Sequence, residues 1–362
     1  MSRPNPVSST LTRRGFGTLL GGAALLAGTR TASAAATVEK TVKATVPGLY
    51  EVVVSTSSNL VHVASTGARG ANNAAVLGLD LRTLEQRSAI PLGADGVFGL
   101  AVNDRTGTLY GTATRAGQLL AVDIKSGTVK ARIAQGENAH LRQPVTDEER
   151  NRVFVSVFGV RDKPGAVWVV DGAAAKVVNV IEGLDGGVAG LVYDPTHNRL
   201  FGTALQPNQV IEISLERGAA VRRFACGGEA PINLAFDGKS GRLYCANEKS
   251  GTVTAIDTVS GNVTATLNTG AGALGVTLTA DGRTLLVANR GAGTVSVVDT
   301  ASMQVTASLA TGTHPNTVAV DDRSGLAYVS NKAKMGERGQ PGQAPQPPPE
   351  DPNGDTVSLL KL

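Results

Sequence analysis

Short runs of alternating apolar and polar residues recur along the chain, and most of them end in Asp. They stand at Leu77–Asp80 (LGLD), Leu120–Asp123 (LAVD), Trp168–Asp171 (WVVD), Thr254–Asp257 (TAID) and Ser296–Asp299 (SVVD). Two looser copies, IEIS and VSLLK, end at Ser214 and Lys361. The steps between successive end points are 43, 48, 43, 43, 42 and 62 residues. Alternation with period two marks strands. Turn pairs such as Asp281-Gly282 and Ser324-Gly325 separate them. A unit of roughly 40–45 residues holding four short strands is the mark of a propeller blade. The pattern therefore predicts an all-β fold: a single seven-bladed β-propeller of four-stranded antiparallel blades.

The last copy stops after its third strand, at Lys361-Leu362. Thr37–Val46 resembles the outer-strand segment that begins at Asn262. The N-terminal strand is thus expected to pair with the C-terminal blade and close the ring, which removes the exposed edges of an open array.

Three recurring strings, Tyr244-Cys-Ala-Asn247, Leu286-Val-Ala-Asn289 and Tyr328-Val-Ser-Asn331, are similar to the motif of the YVTN-repeat β-propeller family. The openings Gly228-Glu-Ala-Pro231 and Gly312-Thr-His-Pro315 fit the same family. The resemblance covers residues 37–362. It is nearest the YncE-like periplasmic propellers, through Val167-Trp-Val-Val-Asp-Gly172, Thr313-His-Pro-Asn316 and a polar insertion late in the last blade. It implies the propeller fold and brings no settled reaction with it.

Residues 1–34 read as a twin-arginine signal peptide that is cleaved. Thr12-Arg13-Arg14-Gly15-Phe16 precedes a Gly- and Ala-rich apolar stretch, and Ala32-Ser33-Ala34 is a small-x-small cleavage site. The propeller then occupies residues 35–362, in the periplasm. Removing the leader changes the charge argument. The chain has 34 Lys and Arg against 30 Asp and Glu, but residues 1–34 hold four basic residues and no acidic one. The remainder is neutral overall. That balance, with 4% aromatic residues, counts against a general nucleic-acid surface.

The repeated Asp and Asn residues invite acid–base or metal chemistry, but their regular placement reads as turn capping. His62, His140, His197 and His314 show no metal-ligand spacing, and no nucleophile elbow occurs. Gly-rich stretches lack the strand–loop–helix setting of a phosphate cradle. No cofactor is expected. Cys226 and Cys245 could pair as a disulfide after export, since the repeat places them toward one face.

The departures from the repeat carry the functional expectation. Longer loops lie at Thr66–Ala75, Phe158–Ala166 and Lys332–Asp355, all leaving from the same sheet edge. The last holds a Pro/Gln/Gly-rich run expected to be mobile over about 333–355. The leading reading is a non-catalytic binding or scaffolding protein, acting through this loop-bearing face and the central funnel. Its partner would be a protein, a peptide or a small anionic ligand. Arg115, Arg142, Arg161, Arg290, His314 and Asn316 are the candidate contacts, since guanidinium groups suit carboxylates. The alternatives are a lactonase-like hydrolase, with Asn233, Asn316 and Asp95 at the channel, a cofactor-dependent oxidoreductase, and a single-stranded nucleic-acid binder.

Overall fold

The computed structural model describes Met1 and residues 35–159, 164–184, 186–334 and 349–362. The predicted leader and the middle of the Pro/Gln/Gly-rich run lie outside the described residues. The chain divides into Met1–Ala34 and Ala35–Leu362. The second unit holds seven four-stranded antiparallel sheets, and no helix occurs among the described residues. No helix there is long and apolar enough to cross a membrane.

Six blades run consecutively along the chain. The seventh is built from both ends: His314–Asp321, Leu326–Lys332 and Thr356–Lys361, with Thr37–Lys43 as its outermost strand. Thr37 pairs with Lys361 and Lys43 with Thr356. The innermost strands are Leu49–Ser55, Leu100–Asn103, Leu141–Asp147, Val188–Asp194, Pro231–Asp237, Ala273–Leu278 and His314–Asp321. Each neighbours the next around a closed circle.

The core lies between blades. Seven separate hydrophobic clusters occupy the seven blade–blade interfaces: Tyr110, Leu119 and Trp168 join blades 2 and 3, and Leu77, Tyr328 and Leu359 join blades 1 and 7. This is why second strands such as Thr108–Ala113 are buried at every position, since both faces pack against neighbours. Outer strands such as Thr128–Ala134 instead alternate between exposed positions and half-buried or buried ones, with Ile133 reaching the core.

The repeated Asp residues cap turns, as the sequence predicts. Asp80 accepts from the N–H groups of Arg82 and Thr83, both at 2.9 Å, and Asp123 from Ser126 at 2.8 Å. Asp171, Asp257 and Asp299 do the same two or three residues ahead. The Asn residues are more deeply embedded than turn residues. The Asn289 side-chain amide donates to Thr269 O at 3.0 Å and Ser296 Oγ at 2.9 Å, with no exposure. Asn331 is held in the same way by Thr356 and Ser358.

A second repeated device fixes the centre of the ring. A hydroxyl on the second strand takes the N–H of its own blade's inner strand and donates to a carbonyl of the next blade's inner strand. Thr112 accepts from Gly99 at 2.9 Å and donates to Arg142 O at 2.8 Å. Ser156 links Gln143 to Ala189 O, Thr203 links Gly190 to Ile232 O, and Ser330 links Thr317 to Tyr50 O. Blade 5 has Ala246 at the hydroxyl position, and there the Asn233 amide reaches Leu274 O at 3.0 Å instead. The inner strands approach so closely that a Cβ on Gly99 would stand 2.3 Å from Arg142 O, and one on Gly190 2.3 Å from Ile232 O. Glycine is a steric requirement at those two positions.

Candidate functional site

Six of the seven inner strands carry a register shift just after they begin: Leu49/Val52, Leu141/Pro144, Val188/Leu191, Pro231/Asn233, Ala273/Gly275 and Pro315/Thr317. A bulge re-aims side chains. Here it turns one or two residues of each blade toward the ring axis. The result is a central funnel of about 460 Å³ lined by every blade. At the equivalent position the seven blades present Tyr50, Phe98, Arg142, Ala189, Ile232, Leu274 and Asn316.

Strand register orders the funnel into tiers. His314 pairs with Lys332 and Pro315 with Asn331, so Lys332 stands above Asn316 on the way in. Ala273 pairs with Asn289, so Arg290 likewise stands above Leu274. Arg115, Arg290 and Lys332, each leaving a second strand, therefore form the mouth. The bulge residues form the middle. Glu51, Gln143, Asn233 and Thr317 follow them inward.

The mouth is cationic. Arg115 lies over the Phe98 ring (5.6 Å to its centre), Arg142 over Phe158 (5.7 Å) and Lys332 over Tyr50 (3.6 Å). Tyr50 and Phe98 meet edge to face at 4.5 Å. Lys332 Nζ also donates to the Tyr50 hydroxyl. Among the described residues Arg115, Arg142 and Arg290 have no carboxylate partner; only the ring faces attend two of them. Arg142 keeps solvent exposure at the funnel, yet the surrounding protein desolvates it and lowers its pKa; Tyr50 and Glu248 oppose that shift and Arg290 adds to it. Burial, and then the repulsion of Arg290, pull the Lys332 ammonium down to about 8; Asp355 opposes this, and Arg115 and Arg142 add to it.

The floor carries the opposite perturbation. Enclosure raises Glu51 to about 8, against a lowering hydrogen bond from Thr317. Its carboxyl is therefore mostly protonated at neutral pH and can donate a hydrogen bond. The carboxylate that acts on Lys332 is already engaged: Asp355 Oδ1 accepts from the N–H groups of Gly48 at 2.9 Å and Leu49 at 3.2 Å.

Of the residues singled out from sequence, Arg115, Arg142, Arg290 and Asn316 all line the funnel. His314 stands beside Arg290 but outside the lining, and burial, then Arg290, lower its pKa. His140 lines the mouth instead, 5.9 Å from the Phe158 ring. Arg161 lies outside the described residues. Asp95 pairs with Arg132 at 3.1 Å and is no part of the funnel, whereas Asn233 is. Cys226 and Cys245 are free thiols, both fully buried in one cluster; their mutual hydrogen bond lowers Cys226 to about 7. Tyr50, Glu51 and Lys332 were not among the sequence candidates. The signal for the first two was available, because they occupy the same place in blade 1 as Arg142-Gln143 in blade 3.

Among the described residues no group of three or more His, Cys, Asp or Glu could hold a metal ion. A second, wider cleft of about 680 Å³ opens near the turns of blades 4 and 5. Two of its arginines are already engaged: Arg199 bonds Asp194 and Glu212, and Arg222 bonds Glu212 at 3.0 Å.

No family model matches the chain. Hydrazine synthase of Kuenenia stuttgartiensis shares the fold, with a TM-score of 0.67 at 17% identity over 80% of this chain and 94% of that one. Among curated proteins, YncE of Escherichia coli O157:H7 is 30% identical over 330 residues, 88% of this chain and 92% of its own. YncE of Salmonella typhimurium is 30% identical over 304 residues, 81% of this chain and 85% of its own. With seven blades, a strand from each end of the chain in the last, and this likeness over most of its length, the chain belongs to the YncE family.

Proposed function

We propose that this is a non-catalytic binding protein whose central funnel holds an anionic ligand. One observation supports the reading above the others: three guanidinium groups without carboxylate partners, Arg115 and Arg290 at the mouth and Arg142 in the tier below, converge with Lys332 in a cavity lined by all seven blades. Like charges gathered in a partly enclosed site repel one another, and an anion relieves that repulsion while accepting their hydrogen bonds. Residues 1–34 serve in this reading as a twin-arginine leader, so the funnel works in the periplasm. There the adjacent thiols Cys226 and Cys245 would exchange with a disulfide donor, which takes up their two electrons and two protons, and the S–S bond would show as a 2 Da lower intact mass.

Calorimetric titration with citrate at low ionic strength tests the anion site. Binding is expected, and Arg142→Ala with Arg290→Ala should weaken it by about a hundredfold, since charge-assisted hydrogen bonds contribute about 1.5–3 kcal/mol each. Citrate affinity unchanged in the double variant would place the anion elsewhere.

A further inference from the structure

We infer that the funnel's ligand is a small carboxylic acid carrying a ring-sized apolar body, its acid group at the cationic mouth and its body against Ile232, Leu274 and Ala189. The inference rests on the anion-binding reading and narrows its ligand class. It follows from comparing the same backbone position in seven blades. Each of these residues offers its carbonyl to the ring while its side chain faces the funnel, so the fold leaves the side chain free to vary. Blades 4, 5 and 6 present Ala189, Ile232 and Leu274 in a row. All three are at least nine-tenths buried, yet none belongs to any of the seven inter-blade clusters. They are apolar residues that the core does not use. Across the funnel stand Tyr50 and Phe98, which give the second wall of a slot.

An inorganic anion would gain nothing from such walls. A mouth of cations above an apolar slot matches a molecule with both parts. The tiers are two to three residues apart along a strand, on the order of 7–10 Å, the length of a phenyl ring with a short acid arm. Below the slot, Gln143, Asn233 and the Glu51 carboxyl offer hydrogen bonds to a polar tip.

The test compares 3-phenylpropionate with propionate, with citrate and oligothymidylate as controls, on the intact protein and on Ile232→Ser/Leu274→Ser. Because those side chains lie outside the core clusters, the variant is expected to fold, checked by its unfolding transition. Phenylpropionate should bind at least tenfold more tightly than propionate, as burying a ring implies. The serine variant should lose that preference while still binding citrate. Citrate binding without any preference for phenylpropionate would overturn this inference and leave the anion site standing. No binding of any acid would overturn both. Oligothymidylate displacing citrate with a steep salt dependence would also overturn it, in favour of a polyanion.

Discussion

Asn289 and Arg290 are neighbours at the end of one strand of one blade, and they live in opposite conditions. Every donor of Asn289 is engaged by Thr269 O, Thr294 or Ser296, and solvent does not reach it. Arg290 has no carboxylate partner among the described residues and points into the funnel with three other cations around it. The Asn side chain recurs in blades 5, 6 and 7, at Asn247, Asn289 and Asn331. Nothing about Arg290 recurs except its neighbour Lys332. In a repeat protein, the polar group that returns with the period is part of the frame, and the one that does not is free for a ligand.

The sharpest way to break that contrast is Asn289→Ala. It removes the amide's bonds to Thr269 O, Thr294 and Ser296, leaving Ser296 Oγ alone on the Thr269 carbonyl, and chemical denaturation should show a loss of about 2 kcal/mol, with citrate affinity unchanged. A loss below about 0.5 kcal/mol would mean that the Asn is not part of the frame. Removing the partnerless cations should act in the opposite sense on stability. Arg142→Ala with Arg290→Ala is expected to leave the melting temperature unchanged or raise it, because the repulsion on Lys332 is relieved. A clear fall in melting temperature would show that the arginines hold the fold after all.

The pH behaviour of the floor and the mouth sharpens the contrast further. Native Glu51 keeps its proton up to about pH 8, whereas the unfolded chain releases it near 4.5. Between those values the native state binds the extra proton, so this group's contribution to stability falls as pH rises from about 4.5 to 8. Comparing denaturation curves at pH 5 and pH 8, Glu51→Gln should lose less stability than the wild type. Equal losses would put the carboxylate in an ordinary, solvated state. The smallest effect belongs to Lys332. Its ammonium loses its proton at about 8, so citrate affinity should fall several-fold between pH 7 and 9, and Lys332→Met should flatten that slope. A slope that survives the substitution would assign it to another group.

The frame was readable in the sequence because it repeats. The terminal Asp of each run, the turn pairs and the resemblance of Thr37–Val46 to an outer strand gave blade number and ring closure, and the observed strand Thr37–Lys43 differs only at its inner end. Arg115 and Arg290 were readable from their places just after second strands, and Arg142 from its place at an inner-strand entrance. Tyr50 and Glu51 were passed over, although they align with Arg142-Gln143 of blade 3, for a local reason. In the run Leu49–Ser55 (LYEVVVS), simple alternation sends Tyr50 and Glu51 to the two opposite blade faces, and the register shift between Leu49 and Val52 instead brings both to the funnel. The apolar wall was hidden in the same way. Ile232 and Leu274 look like core residues until the interface clusters are known and neither is found in them.

The antiparallel clasp of the seventh blade sets Thr37 directly opposite Lys361. The two ends of the propeller are therefore within reach of a linker of a few residues. Joined there and cut at an exposed connection between two blades such as Gly136-Glu137, the chain would have a new order of synthesis, in which every blade is made from contiguous sequence. The strand pairing of longest sequence separation, the step that most slows the assembly of a large β fold, would become a hairpin.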